Sequence, residues 1–327
     1  MNTISVRTYP KAFSRICLGT AGFGANGLTG EPLEQAFAIL DAYYAMGGRF
    51  LDTANVYGRW GVDRTNASEQ VIGRWLRERQ ITDMTVTTKA CHWAPEAPSV
   101  SRVTADALTH DVDESRASLG LDRLDILLLH RDNEEIDIRA IVDFCVPFVD
   151  RGSITRFGFS NFRADRVKTA IEYLGADWDR YFVGVSNEWS LAMDGADGYA
   201  PGSGMIATDA TLRDVQAEYK FPLFPYSSIA HGFFTKLQRC GAVYDGGWRN
   251  TDDFRGNKAW LTDKNGRAYN RLTALAAETD LSLAMLSLGY LLAQPETIPV
   301  MTVSRTEQLE ELNAVAEAAW DTAMFAE

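Results

Sequence analysis

Phe50-Leu51-Asp52-Thr53-Ala54-Asn55-Val56-Tyr57 begins as a short apolar, strand-like run and ends on groups that carry protons. Two later runs end the same way, Val86-Thr87-Thr88-Lys89 and Ile126-Leu127-Leu128-Leu129-His130. Residues at one end of successive parallel strands converge in space, however far apart they lie in the chain. A carboxylate (Asp52), a phenol (Tyr57), an ammonium (Lys89) and an imidazole (His130) would then share one site. Lysine leaving a buried strand needs a partner, and Asp52 is the natural one. An ammonium beside a tyrosine stabilises the phenolate and lowers its pKa. The histidine can donate a hydrogen bond to a substrate oxygen. Such a group can stabilise a developing alkoxide and deliver its proton, as a carbonyl receiving hydride requires.

Outward from these runs, the hydrophobic period switches repeatedly between strand-like and helix-like. Strand-like runs fall near 15–19, 49–53, 84–89, 124–130, 155–160, 181–186, 222–227 and 298–303. Helical patterns fall near 32–47, 67–79, 101–119, 136–151, 163–175, 207–219, 268–293 and 305–319. Local signals agree: Gly47-Gly48 and Gly120 stop helices, and Asn66 with Glu69 starts one. Alternating strands and helices imply parallel pairing with right-handed crossovers. Roughly eight such units in one chain predict a (β/α)8 TIM barrel. No linker or low-complexity tract divides the chain, so a single domain over 1–327 is expected. Two long connections, 191–206 after the sixth strand and 231–266 after the seventh, would both lie on the catalytic face. Trp248, Phe254 and Trp260 in the second suggest an ordered lid.

Lys+Arg 32 against Asp+Glu 44 leaves a net charge of −12, which argues against nucleic-acid or anionic-membrane partners. Cys17, Cys91, Cys145 and Cys240 are widely spaced and form no zinc-type pattern, so reduced structural thiols and no metal are expected. No apolar leader is seen, and no run approaches the ~20 apolar residues of a membrane span. A cytoplasmic protein is the default expectation. The sequence leaves the oligomeric state open.

The tetrad segments resemble the aldo-keto reductase family. The likeness continues through Gly158-Phe159-Ser160-Asn161-Phe162, Pro225-Tyr226-Ser227-Ser228, Gly232-Phe233-Phe234-Thr235 and Ser304-Arg305-Thr306-Glu307-Gln308-Leu309, in order, from about residue 15 to 315. The resemblance implies a barrel that reduces aldehydes or ketones with a nicotinamide cofactor, NADP, with NADPH ahead of NADH. Tyr57 would be the general acid, assisted by Lys89 and Asp52, with His130 orienting the carbonyl. Ser160 and Asn161 would bond the nicotinamide carboxamide, joined by Ser186 where many members carry Gln. Tyr226 would stack beneath the nicotinamide. Ser227, Ser228 and the chain to Gly232 would meet the pyrophosphate. Ser304 and Arg305 would face the adenosine 2′-phosphate, with Gln308 nearby and Glu311 toward the adenine. Val303 stands where Gly is common in that loop.

Aromatic residues Trp60, Trp93 and Trp189, with Phe162, are expected to wall the pocket of a small-molecule carbonyl substrate. His92 beside Trp93 reads equally as a substrate contact or a loop residue, and Arg131-Asp132 reads as a local ion pair. Two other functions fit the same residues. Lys89 could form a Schiff base as in an aldolase, although Asp52 would keep it charged. The chain could also be a cofactor-binding regulatory subunit of the reductase-like type.

Overall fold

Alternate residues of a strand face opposite sides, and this alternation sorts the first strands cleanly. Phe50, Ile126 and Leu128 join one cluster with Val183, Phe224 and Ile298, whereas Leu51, Leu127 and Leu129 join the larger cluster between strands and helices. The inward set therefore carries Phe50 and then Asp52, and Ile126, Leu128 and then His130. The polar group is the last member of each inward row.

The computed structural model describes residues 1–193 and 204–326. Its strands are β1 (Thr3–Ile4), β2 (Phe13–Ser14), β3 (Cys17–Gly19), β4 (Phe50–Asp52), β5 (Thr85–Ala90), β6 (Leu124–Leu129), β7 (Ile154–Ser160), β8 (Phe182–Ser186), β9 (Val243–Tyr244), β10 (Trp248–Arg249) and β11 (Val300–Met301). Its helices are α1 (Glu31–Ala45), α2 (Ala67–Glu78), α3 (Ala105–Leu119), α4 (Ile138–Asp150), α5 (Ala164–Leu174), α6 (Trp178–Tyr181), α7 (Ala210–Tyr219), α8 (Phe233–Arg239), α9 (Asp263–Thr279), α10 (Leu283–Leu292) and α11 (Glu307–Glu317). A curled seven-stranded sheet runs in the order β11-β3-β4-β5-β6-β7-β8, and its neighbouring strands pair in parallel.

The expected strand over 222–227 is reduced to single bridges. Leu223 pairs in parallel with Val185 on one side and with Thr297 on the other, and so spans the two edges of the sheet. Pro222 and Pro225 carry no N–H and act only as acceptors here, from Val185 N at 3.2 Å and Val300 N at 2.8 Å. A ladder missing these donors is intermittent. The chains approach closely at this point: a Cβ on Gly184 would lie 2.2 Å from Pro222 O, and one on Gly158 would lie 2.5 Å from Gly184 O.

The β1–β2 hairpin, which the hydrophobic pattern did not signal, covers the end of the sheet opposite the polar rows. Phe13 packs on Phe50 at 4.5 Å and on Phe224 at 5.7 Å. The helical pattern over 268–293 is two helices. Asp280 turns left-handed (φ 57°) after α9, and the Ser282 side chain accepts from Met285 N to start α10. The 231–266 segment contains α8 and the β9–β10 hairpin. Its Phe254 and Trp260 are buried against Phe233 in a second core with α9 and α10. These aromatic side chains therefore fill a core. Residues 194–203, the Gly-rich part of the other long connection, lie outside the described residues.

Cys17, Cys91 and Cys145 are buried free thiols and Cys240 is half-buried. Burial pushes the Cys17 and Cys145 thiols well up, and Cys91 up to about 12. Among the described residues no single helix is long and apolar enough to cross a membrane.

Candidate active site

β4 ends on Asp52 and β5 carries Lys89 one residue before its end. β4 and β5 are parallel neighbours, with Asp52 level with Thr87. Lys89 is one inward step further along, and its side chain meets the Asp52 carboxylate. Nζ donates to Oδ1 and Oδ2, both at 2.7 Å, and to Thr53 O at 2.8 Å. The Tyr57 hydroxyl lies 3.3 Å from the same nitrogen. The ion pair is almost wholly buried, at 3% and 8% side-chain exposure. Removing either partner would strand a charge, whereas the intact pair is compensated.

Burial works against the Lys89 charge, but the Asp52 carboxylate and the Tyr57 oxygen outweigh it and hold its pKa above the ordinary value. The phenol behaves differently from the sequence expectation. Burial raises the Tyr57 pKa by more than the Lys89 ammonium lowers it. Tyr57 therefore holds its proton at neutral pH, with Lys89 placed to stabilise the anion that would remain after transfer.

His130 follows β6, and its ring lies 5.8 Å from that of Tyr57, edge to face. Burial first, then the nearby His92, Lys89 and Arg131, depress its pKa well below the ordinary value, so it is neutral. Its Nδ1 is buried without a hydrogen-bond partner.

Asp52, Tyr57, Lys89 and His130 line one cavity of about 530 Å³ with Trp60, His92, Ser160, Asn161, Tyr226, Ser227 and Ser228. A smaller one of about 230 Å³ shares Val56, Lys89 and His92 with it and adds Trp93. Trp60 contacts His92 at 5.6 Å and Trp93 at 5.7 Å.

The structure corrects two expectations about lining and one about an ion pair. Trp189 is 1% exposed, packs on Tyr290 at 6.0 Å and lies under Arg213, so it is a core residue and not a pocket wall. Phe162 is fully buried and stacks on Phe159 at 4.3 Å. Asp132 pairs with Arg166 at 2.6 Å, and Arg131 is among the residues lining the cavity.

The polar residues on the far side are engaged with one another. Asn161 sits in a left-handed conformation (φ 63°) after β7. Its Oδ1 accepts from Tyr226 OH at 2.6 Å and from Ile206 N at 3.1 Å. Its Nδ2 donates to His130 O at 3.2 Å and Ser160 Oγ at 3.1 Å. Ser160 Oγ donates to Ser186 O at 2.8 Å. Ser186 itself is buried and is not among the lining residues. Ser228 Oγ lies 2.9 Å from both Pro225 O and Val300 O. Gly232 (φ 75°) caps α8 beside the lining residue His231.

Ser304, Arg305, Gln308 and Glu311 stand apart from this cavity at the start of α11. Gln308 Oε1 accepts from Ser304 N at 2.8 Å, Ser304 Oγ at 3.2 Å and Arg305 N at 3.1 Å. A single carboxamide oxygen thus satisfies three donors that an anion would also satisfy. Glu311 Oε1 accepts from Ser282 N at 3.4 Å.

One group of possible metal ligands gathers among the described residues, His110, Asp111 and Glu114. Arg102 lies 2.6 Å from Asp111 and Arg59 2.5 Å from Glu114, so guanidinium charge already neutralises both carboxylates.

Glu69 reads in the sequence only as a helix-start acid, and its burial was not anticipated. This carboxyl is fully buried, bonded to Thr88 Oγ1 at 2.5 Å and Asn66 Nδ2 at 2.7 Å. Burial raises its pKa to about 7.

Residues 15–327 match the profile of the Aldo/keto reductase family. The chain is 24% identical over 312 residues to norsolorinic acid reductase stcV of Emericella nidulans, covering 91% of this chain and 72% of that protein. It is 25% identical over 285 residues to L-glyceraldehyde 3-phosphate reductase of Escherichia coli, covering 85% and 78%. A solved aldo-keto reductase from Klebsiella pneumoniae, in complex with NADPH, superposes with a TM-score of 0.68 at 19% identity, covering 99% and 93%.

Proposed function

The chain belongs to the aldo-keto reductase family, and on that premise we propose that it reduces an aldehyde or ketone to an alcohol with NADPH, Tyr57 acting as the general acid. One observation carries this reading: Lys89 Nζ is held between the Asp52 carboxylate at 2.7 Å and the Tyr57 hydroxyl at 3.3 Å, on the wall of a cavity. Members of the family are oxidoreductases acting on small carbonyl compounds, and a nicotinamide cofactor is the co-reactant.

The residues present suit that cofactor. Ser160, Asn161 and Tyr226 offer short polar groups and a flat ring on one wall of the cavity, with the Ser227 and Ser228 hydroxyls beside them. Asn161 would exchange one of its present partners for the carboxamide. At α11, Arg305 is an exposed guanidinium next to three donors now held by Gln308, which suits a 2′-phosphate. NADPH is therefore the preferred cofactor over NADH. Bound there, the nicotinamide supplies the hydride.

The chain's own residues do the rest. His130, neutral and protonated on Nε2, donates to the carbonyl oxygen and leaves Nδ1 as the buried lone pair. Tyr57 donates its proton to the oxygen as negative charge develops. Lys89 stabilises the phenolate at that moment, and Asp52 keeps Lys89 charged and in place. Charge retention at Lys89 disfavours the Schiff-base alternative, which requires a neutral amine.

The test compares wild type with Tyr57→Phe, following NADPH consumption against sugar, aromatic and quinone carbonyls. Turnover should fall by about 10³-fold, while NADPH binding, followed by fluorescence, persists. Wild-type binding without turnover of any carbonyl would favour the regulatory-subunit alternative. Near-normal turnover by Tyr57→Phe would remove Tyr57 from the acid role.

A further inference from the structure

His92 stands between the two cavities and shares both walls, yet the reduction described above assigns it nothing. Its Nδ1 lies 2.9 Å from the carbonyl oxygen of Trp93. A carbonyl oxygen only accepts, so Nδ1 must carry the proton and Nε2 must be the lone pair. No donor reaches Nε2 among the described residues. Two nearby cations are already engaged: Lys89 Nζ by Asp52, Thr53 O and Tyr57, and the Arg102 guanidinium by Asp111 and the His92 carbonyl. The ring is pinned from several sides. It meets His130 edge to face at 4.6 Å, Trp93 at 4.3 Å and Trp60 at 5.6 Å, and Arg102 Nη1 donates to the His92 carbonyl at 3.0 Å. Burial, with Arg131, Arg102 and Lys89 nearby, holds its pKa down to about 4, so the lone pair persists at neutral pH.

We infer that His92 is a specificity-determining residue whose Nε2 accepts a hydrogen bond from a substrate hydroxyl, selecting carbonyl compounds with a hydroxyl on the neighbouring carbon. The inference rests on the proposed carbonyl reduction and deepens it. With the carbonyl oxygen between Tyr57 and His130, a hydroxyl on the adjacent carbon would come within reach of the imidazole, which packs on His130 at 4.6 Å and lines the same cavity. A fixed acceptor discriminates well, because a bound substrate that lacks the hydroxyl would displace water from this lone pair and leave it unmatched. The exposed Trp60 and the half-buried Trp93 offer apolar faces to the C–H edges of the same hydroxylated chain.

The experiment measures kcat/KM with NADPH for glyceraldehyde and for propanal, in wild type, His92→Phe and His92→Gln. Phe keeps a ring and removes the acceptor; Gln places a carbonyl oxygen near the Nε2 position. The ratio of glyceraldehyde to propanal should fall about tenfold in His92→Phe and recover in His92→Gln. Each ratio is taken within one preparation, so partial misfolding of a variant does not alter it. A ratio unchanged in His92→Phe, with both aldehydes still reduced, would overturn the role of His92 and leave the reductase reading standing. Wild type reducing neither aldehyde nor any other carbonyl would overturn both.

Discussion

On the β4–β6 side of the cavity the polar groups are buried and hold one another, whereas at the start of α11 they are exposed and folded back on themselves. Lys89 is fastened to Asp52 through two 2.7 Å bonds under almost complete burial. Ser304 and Arg305 direct their donors at Gln308, a surface side chain of the next helical turn. Under the proposed function, the difference follows from what each region would do. Proton delivery needs charges oriented before the substrate arrives, since reorienting them during reaction would raise the barrier. Gripping a phosphate needs donors that exchange one partner for another, and a neutral carboxamide oxygen is easily replaced.

Breaking the buried side should have the largest effect. Lys89→Met leaves the Asp52 carboxylate without its cation, and we expect a loss of about 3–5 kcal/mol in urea unfolding together with near-abolition of reduction. A variant that kept wild-type stability would show that the pair is not the compensated unit described here.

The second test uses two opposed titrations on that side. His92 is held near pKa 4 against an ordinary 6.5. Its contribution to stability is complete above pH 6.5 and is lost as pH falls toward 4, because the unfolded chain takes up the proton first. Glu69 is held near pKa 7 against an ordinary 4.5. Its ionised form destabilises the fold above pH 7, and that penalty disappears as pH falls toward 4.5. Each amounts to about 3 kcal/mol at full extent, and the two nearly cancel between pH 4.5 and 6.5. Glu69→Gln should therefore gain stability at pH 8 relative to wild type and become more acid-sensitive. His92→Phe should become less acid-sensitive. Parallel pH profiles for all three proteins would refute both assignments.

The exposed side should respond more weakly. Arg305→Ala should weaken NADPH roughly 10–100-fold and NADH far less; equal losses would take the 2′-phosphate away from this corner. Smallest of all, Gln308→Ala removes a helix-start acceptor, with a cost of about 1 kcal/mol in thermal unfolding without cofactor. NADPH should narrow that deficit, since its phosphate would occupy the vacated donors. A deficit of equal size with and without NADPH would mean that the anion binds elsewhere.

The buried side was the more legible of the two in the sequence. Asp52, Lys89 and His130 each close an apolar run, and parallel register brings run ends together whatever the loops do. Tyr57 was found by its neighbours, but its pKa direction was misjudged, because burial is a property of the packed site and not of the Lys89–Tyr57 pair. The start of α11 was visible only through family likeness, since Ser304 and Gln308 alone look like any surface turn. Trp189 and Phe162 were placed on a wall because an aromatic residue near a strand end has no mark telling cavity from core. Glu69 stands three residues after Asn66 and reads as a solvated helix-start acid; its burial depends on Thr88 from β5. The 222–227 strand lost its ladder to Pro222 and Pro225, both plain in the sequence, and the break at Asp280 was likewise announced by Ser282 two residues on.

The uneven burial of the four thiols makes the native chain nearly single-valued toward alkylating reagents. Cys240, just past α8, is the only one with partial solvent access, while Cys17, Cys91 and Cys145 are sealed and held protonated. A maleimide dye should therefore attach at one position without mutagenesis. Counting modified sulfurs by mass would then report, molecule by molecule, how much of the chain has opened.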